Sequence, residues 1–362
     1  MISRASDIAV ADRTRGGEGA RWQGLDAARG LAIIGMIAAH AWPRQDDGEL
    51  LVDGRPSVLF VVVAGVALGL VTARVAVPSA PAVTRREQRI RLLVRAAILL
   101  VVGLLLWMLP SGIAIILDYY GVLFVLALPL LFAARWLLAI VSLALLVAAP
   151  LARDALVAAG VPGESPLEPV VDYLFTGYYP AVLWLPLVGL GLLATRSGLD
   201  RARTRAMLIG GGATAALGGY GAAALLPSVS AEAHSGTTAE LVGSGGLAFA
   251  IIGLLLVVLD PGTPSPWRRV ALAPLTALGR VALTVYVGQV VVIAAFAALG
   301  PAGRFASPVG ETLTVVLVVA GILFGLACSA LGRRGPLEAL LSSAAAAVGR
   351  AALPPAPRSM GD

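Results

Sequence analysis

Residues 25–40 read LDAARGLAIIGMIAAH, a mostly apolar, helix-forming run that carries Asp26, Arg29 and His40. The run is close to the length and composition of a helix that enters a lipid bilayer. Ionisable side chains are costly inside hydrocarbon, so three of them in one such helix mark it as a candidate functional element. Similar apolar runs, most of them with few charges, recur along the chain to about residue 332.

The composition of the whole chain indicates a membrane protein. Of 362 residues, 58% are hydrophobic and only 13% are charged, whereas charged residues make up about a quarter of a typical soluble domain. The apolar runs are continuous rather than alternating, so they predict helices and not strands. We predict an all-α, polytopic membrane helical bundle of about ten transmembrane helices. The predicted spans lie near residues 25–43, 56–76, 93–110, 114–134, 136–152, 178–195, 206–226, 242–259, 274–299 and 311–332.

Arginine placement predicts the orientation of these helices. All 27 basic residues are arginines. With both termini in the cytoplasm, all of them except Arg44, Arg55, Arg153 and Arg304 fall at or near the inner face, as expected for a bacterial inner-membrane protein. Five of the inner arginines lie in a predicted cytoplasmic loop over residues 85–95. Because the basic residues lie at helix ends, the formal net charge of +6 does not indicate a nucleic-acid partner.

The chain divides into three predicted segments. They are a disordered cytoplasmic amino terminus (1–20), a transmembrane domain (21–345) and a cytoplasmic tail (346–362). An amphipathic surface segment is predicted over residues 333–353. Ala39-His40-Ala41 also has the small-x-small pattern of a signal-peptidase site. Pro43 and the charges of Asp26 and Arg29 argue against cleavage there.

Arg29 and His40 are predicted to share one helix face. They are eleven residues apart, about three full turns, and about 16 Å apart along the axis. Asp26 precedes Arg29 by three residues and can pair with it. The simpler interpretation is that Arg29 extends to lipid headgroups and His40 lies in the opposite interface. Taken together, the residues predict a cation near the cytoplasm and an imidazole near the outer surface.

The spacing of Arg29 and His40, with ten residues between them, resembles the arginine-x10-histidine pattern of the transmembrane acyltransferase superfamily. The surrounding LDAARGLAIIGMIAAH is similar to the opening helix of bacterial members of the heparan-alpha-glucosaminide N-acetyltransferase family. Further similar segments are GRPSVLFVVVAG (54–65), DYYGVLFVLALPLL (118–131), HSGTTAELVGSGG (234–246), RVALTVYVGQ (280–289) and GPLEALL (335–341). The resemblance extends from about residue 20 to about residue 345.

This resemblance implies an enzyme that moves an acyl group, usually acetyl, from cytoplasmic acetyl-CoA or another acyl-CoA to a glycan or lipid-linked acceptor at the outer face. The phosphates of the donor cannot enter lipid and need cytoplasmic cations. His40 would act as a general base or as a covalent acyl carrier, and the sequence leaves both roles open. The residues predicted to bind the donor are Asp26, Arg29, Arg89, Arg95, Arg280 and Gln289.

The chain departs from the family at one place. Human-type members use a further histidine in the first outer loop, and the corresponding loop here, Trp42–Gly54, has none. His234, in a predicted outer loop over residues 227–241, is therefore the second catalytic candidate, although an exposed loop histidine is often only solvated. The residues predicted to bind the acceptor are Arg55, Asp118, Tyr119 and Tyr120. An interfacial arginine and an aromatic belt are the simpler interpretations of these residues.

Two other functions stay open from the sequence. A small-molecule or lipid transporter accounts for the helices and the intramembrane charges equally well, and a non-catalytic scaffold would need neither Arg29 nor His40.

Membrane lipids and the acceptor are the expected partners, and a homodimer is possible. No metal is expected, because no metal-ligand spacing is present. The glycines between residues 210 and 221 predict close helix packing.

Overall fold

The computed structural model describes residues 21–43, 49–73, 75–76, 81–161, 166–260, 265–299 and 310–352. The predicted disordered segment 1–20, Arg44, Arg304 and the end of the predicted tail lie outside these residues. The longer helices are α1 (Gln23–Ala41), α2 (Arg55–Thr72), α3 (Ala82–Trp107), α4 (Leu117–Ala127), α5 (Arg135–Ala158), α6 (Ala181–Arg196), α7 (Ala202–Leu225), α8 (Thr238–Leu259), α9 (Ala273–Arg280), α10 (Ala282–Leu299), α11 (Glu311–Ala330) and α12 (Pro336–Ala351).

The all-α prediction is confirmed for the described residues, which contain no strand. Seven helices in that part of the chain are long and apolar enough to cross a membrane: α2, α3, α5, α7, α8, α10 and α11. An eighth span results if α6 and the bent segment before it, Glu168–Thr176, are counted as one. These helices indicate a multi-pass membrane protein, and the predicted number of ten spans is not confirmed.

Three predicted spans differ from the observed helices for physical reasons. The 19 residues of α1 include Asp26 and Arg29, and α1 is not among the helices that are apolar enough to cross a membrane. α4 has only 11 residues, because Pro129 lacks the backbone N–H that would continue its hydrogen-bond ladder. The predicted span 274–299 is split at Val281 into α9 and α10.

The prediction that residues 85–95 form a loop is wrong, because these residues belong to α3. Arginine, glutamine, glutamate and leucine are all good helix formers, so the charges do not interrupt the helix. Glu87 and Arg91 are four residues apart and form an ion pair along it. The arginines of this segment are consequently held on a rigid helix. They do not lie on a flexible loop.

α1 lies at the centre of the bundle, in contact with α2, α8, α9, α10 and α11. Two glycines allow α1 and α9 to touch through their backbones. A Cβ on Gly30 would lie 2.1 Å from the carbonyl oxygen of Leu275, and a Cβ on Gly279 would lie 1.7 Å from that of Asp26. The segment that carries Asp26 and Arg29 is therefore fixed against α9.

Remote carboxylates cap two of these helices. Asp260 accepts hydrogen bonds from the backbone N–H groups of Gln23 (3.0 Å) and Gly24 (2.7 Å) at the start of α1. Burial raises the pKa of Asp260. Glu338 accepts hydrogen bonds from Leu283 (2.7 Å) and Thr284 (3.1 Å) at the start of α10. Both carboxylates satisfy N–H groups that have no partner within their own helix.

α7 and α8 form a hairpin in which the predicted glycine packing is partly confirmed. Cβ atoms on Gly212 and Gly219 would meet the backbone of α8 at 2.5–2.6 Å. Gly210, Gly211 and Gly218, by contrast, have nothing within 4 Å of the Cβ position. At the end of the chain, α12 continues without a break through the predicted domain boundary at residue 345 and packs against α3.

Candidate functional site

A small cavity brings together the only two histidines of the sequence. Its volume is about 50 Å³, enough for a few water molecules, and it lies at the carboxyl end of α1. We call it the histidine cavity. It is lined by Met36, Ala39, His40, Val52, Asp53, Gly54, Pro56, Ser57, Tyr178, Tyr179 and His234. The sequence-based prediction that both histidines lie at the same end of the bundle agrees with this arrangement.

His234 is held in an unusual backbone conformation. Its φ of 62° is the only positive value among the described non-glycine residues. Thr237 begins α8 as an N-cap and accepts a hydrogen bond from the N–H of Glu240 (3.1 Å), as in a capping box. The Glu240 carboxylate then accepts hydrogen bonds from the N–H groups of His234 and Gly236, both at 2.7 Å. Buried Glu240 thereby fixes the turn that presents His234.

The ring of His234 has a defined hydrogen-bonding state. Its Nδ1 lies 3.2 Å from the carbonyl oxygen of Tyr178, and its ring stacks on that of Tyr178 with centroids 3.9 Å apart. A carbonyl oxygen can only accept, so the neutral ring carries its proton on Nδ1 and leaves Nε2 as a proton acceptor. Nε2 lies 3.5 Å from the point where Gly54 would carry a Cβ. Burial lowers the pKa of His234, which favours this neutral form at pH 7.

His40 approaches the cavity from the last turn of α1. Its ring packs edge-on against Tyr286 of α10, with centroids 6.5 Å apart. The amide of Gln289 neighbours the imidazole. Among the described residues, however, neither His40 Nδ1 nor either polar atom of the Gln289 side chain makes a well-formed hydrogen bond, although all three are buried. Buried polar atoms without partners are rare and are a sign of functional sites.

The predicted acceptor residues on α4 lie beside the histidine cavity and do not line it. Asp118 accepts a hydrogen bond from the Tyr173 hydroxyl at 2.7 Å. Tyr119 packs against the rings of Tyr173 and Tyr179, at 4.6 and 5.7 Å between centroids. Tyr120 is only 3% exposed, so it is a core residue and not part of an interfacial aromatic belt.

Arg55, the remaining predicted acceptor residue, organises the loop before α2. It pairs with Glu49 at 2.5 Å and donates to the carbonyl oxygen of Asp53 at 3.1 Å. Its guanidinium also lies over the Tyr220 ring, 5.4 Å from the centroid. Its hydrogen bonds hold the loop that supplies Val52, Asp53 and Gly54 to the histidine cavity.

The predicted pair of Asp26 and Arg29 is formed, with 2.9 Å between Arg29 Nη1 and Asp26 Oδ1. Arg21 makes a second ion pair with the same carboxylate. On α1 the histidine cavity begins at Met36, seven residues and about 10 Å from Arg29. This cavity therefore does not connect His40 with Arg29. Arg280 follows Gly279 on α9, at the close contact with Asp26.

Arg89 and Arg95 lie elsewhere, on α3. Arg95 borders a cavity of about 330 Å³, which we call the arginine cavity, lined by Leu68, Val71, Thr72, Val75, Gln88, Arg91, Leu92, Arg95 and Leu131. Its Nε is buried and has no hydrogen-bond partner in the described part of the chain. Arg89 lies over the Phe132 ring, 5.4 Å from the centroid. The donor residues predicted from the sequence thus lie in three places: on α1 and α9, on α3, and, for Gln289, on α10 beside His40.

Several residues of the site were not predicted. Asp53, Tyr178 and Tyr179 line the histidine cavity, but each lies in a loop whose path cannot be read from the sequence. Tyr286 could have been found, because it precedes Gln289 by three residues and so shares its face of α10. The described residues contain no group of three His, Cys, Asp or Glu side chains that could hold a metal ion.

Comparison with known protein families gives a match in the second half of the chain. No curated protein matches the chain. The model of one family, described as "Protein of unknown function (DUF418)", matches residues 187–352. The match includes His234, Arg280 and Gln289 and ends short of Arg29 and His40. From α6 to α12, therefore, the chain is similar to a membrane-protein family of unknown function.

Proposed function

We propose that this protein is a membrane-bound acyltransferase that moves an acyl group, most simply acetyl, from acyl-CoA to a hydroxyl or amino group of a glycan or lipid-linked acceptor. The observation that carries the proposal is that His40 and His234, far apart in sequence, line one cavity. The resemblance of the first helix to the transmembrane acyltransferase superfamily supports it. His234 also lies against the loop before α2, which is where the human-type relatives carry their further histidine.

The geometry suits proton transfer. A neutral imidazole in the histidine cavity accepts the proton of the acceptor hydroxyl or amine, and the acceptor atom then attacks the thioester carbonyl. The bond between the carbonyl carbon and sulfur breaks, and the imidazolium returns the proton to the departing thiolate. Nε2 of His234 is available for this role, and His40 is the second base or the covalent acyl carrier. We expect the cavity to widen when substrates bind, because about 50 Å³ is below the roughly 300–1,000 Å³ of small-molecule sites.

The arginine cavity suits the phosphates of the donor. Arg91 and Arg95 border it, and among the described residues the ion pair at this cavity is that of Arg91 with Glu87. Buried, unpartnered arginine N–H groups are strong donors to phosphate oxygens. Thr72 borders this cavity and Ser57 borders the histidine cavity, so the two are separated along α2 by fifteen residues, or about 22 Å. A donor must span that distance, and the pantetheine arm of CoA is long and flexible.

The first test is acyl transfer by purified His40→Ala protein supplied with radiolabelled acetyl-CoA and membrane glycolipids. We expect a loss of at least about 100-fold in turnover, the usual contribution of a general base, with an unchanged elution profile and Tm. Val319→Ala, which alters an exposed side chain of α11 that borders neither the histidine cavity nor the arginine cavity, serves as the control. Normal turnover by His40→Ala would remove His40 from the mechanism.

The second test separates the enzyme from a transporter. Binding of CoA should raise the Tm of the protein by mass action, and Arg95→Gln should abolish this rise. Arg86→Gln is the matched control, because Arg86 lies on the same helix, is exposed and does not border the arginine cavity. Substrate flux into proteoliposomes without any acyl donor, together with no Tm response to CoA, would favour the transporter.

A further inference from the structure

A groove separate from both cavities lies between α5, α6, α7 and α8. Its volume is about 390 Å³, within the range of small-molecule sites. We call it the leucine groove, after the side chains of Leu143, Leu187, Leu190, Leu193, Leu208 and Leu241 that line it. Along α6 it extends from Leu187 to Ser197, ten residues and about 15 Å. Its shape is therefore long and narrow.

The lining offers almost nothing for a polar ligand to bind. The hydroxyl groups of Ser197 and Thr204, at one end, already donate to the carbonyl oxygens of Leu193 (2.9 Å) and Ser197 (3.0 Å). Gly211 and Gly245 leave room by having no side chains. The lining therefore favours an apolar ligand, and the length of the groove suits an acyl chain.

The groove opens sideways between α5 and α7. Leu143 on α5 is 59% exposed and Met207 on α7 is 64% exposed, and both border the groove. Because α5, α7 and α8 are all candidate membrane spans, this opening faces the hydrocarbon of the bilayer. A lipid acyl chain reaches such an opening directly, whereas a water-soluble ligand does not.

Charge at the polar end of the groove indicates which lipid binds. Residues 196–205 contain four arginines and one aspartate. Arg196 donates to the carbonyl oxygens of Leu131 and Ala133, and Arg205 to those of Leu199 and Asp260. Arg201 and Arg203 are exposed, and neither takes part in an ion pair with another described residue. An anionic headgroup would therefore meet two available guanidinium groups.

We infer that the leucine groove binds one acyl chain of an anionic phospholipid from the surrounding bilayer, with the lipid phosphate held by Arg201 and Arg203. This site is independent of acyl transfer, because it shares no residue with the histidine or arginine cavity. The lipid would fill the space between the α7–α8 hairpin and helices α5 and α6.

Native mass spectrometry of the full chain, reconstituted with equal amounts of phosphatidylglycerol and phosphatidylcholine, tests this site. We expect one retained phosphatidylglycerol, favoured at least tenfold over phosphatidylcholine, and at least a tenfold loss of retention in Gly211→Phe. Gly210→Phe is the matched control, because Gly210 is the preceding residue, is equally open and does not line the groove. Arg201→Gln with Arg203→Gln should remove the headgroup preference.

A second pair of variants tests the same site if Gly211→Phe folds poorly. Leu143→Trp narrows the opening, and Leu151→Trp, at an exposed position of α5 that does not line the groove, is its control. Equal retention of phosphatidylglycerol in both members of a pair, or equal retention of the two lipids by the unmodified protein, would overturn the proposal. So would an unchanged headgroup preference in the double arginine variant.

Discussion

At the scale of single residues, the backbone conformation of His234 allows the structural and the catalytic role of this residue to be tested separately. A positive φ is unfavourable for a residue with a Cβ and is accessible to glycine without that cost. The His234→Gly variant also loses the ring stacking and the hydrogen bond to Tyr178, so we predict that its Tm changes little while acyl transfer falls at least about 100-fold. Circular dichroism melts and the transfer assay on one preparation check this. A variant with normal turnover would show that the ring is not used.

The lowered pKa of His234 predicts how stability depends on pH. An unfolded histidine titrates near 6.5, and the folded one titrates lower because burial disfavours its charged form. The stability that neutral His234 contributes is thus fully present above about pH 6.5 and is lost as the pH falls below that value. We expect the Tm of the unmodified protein to fall more between pH 7.5 and 5.5 than that of His234→Gly. Equal falls would contradict a buried neutral ring.

At the scale of helices, the crossing of α1 and α9 depends on glycine. Gly279→Ala places a methyl group where the carbonyl oxygen of Asp26 lies, so the two helices must separate. We predict a destabilisation of about 1–3 kcal/mol, the usual cost of overpacking, measured by unfolding in mixed detergent. Gly288→Ala, in a helix position with nothing within 4 Å, is the control and should be neutral or slightly stabilising. Equal effects of the two substitutions would refute the close contact.

At the scale of the whole molecule, the two ends of the bundle differ in charge. The turn between α6 and α7 lies at the arginine-rich end, and the turn after α7 leads to His234 at the other. In a Cys328→Ser background, which has no other cysteine, we expect Asp200→Cys to react with a membrane-impermeant maleimide only after permeabilisation. Ser228→Cys should react in intact cells. The reverse labelling pattern would show that the bundle has the opposite orientation. The arginine cavity would then lie on the side of the membrane that has no acyl-CoA.

How much of the fold and of the site could be predicted from the sequence depended on how far apart in the sequence the interacting residues lie. The first helix was predicted to within two residues, because apolar length is a local property of the sequence. The helical state of residues 85–92 was not predicted, because their charges suggested a loop although their helix propensity is high. The pairing of Asp26 with Arg29 was predicted from spacing alone. The contact of His234 with Tyr178 was not, because it depends on how two distant loops meet.

The hydrogen bonds from Gln23 and Gly24 to Asp260 bear on how the protein is assembled. α1 is capped by a carboxylate that is synthesised more than two hundred residues later, and it contains two charges that lipid alone would not accept. Until α8 and α9 arrive, α1 lacks the neighbours that bury Asp26 and close its amino terminus. The helix that carries His40 is thus completed only after Asp260 has been made, and a chain truncated before Asp260 should leave it accessible to proteases.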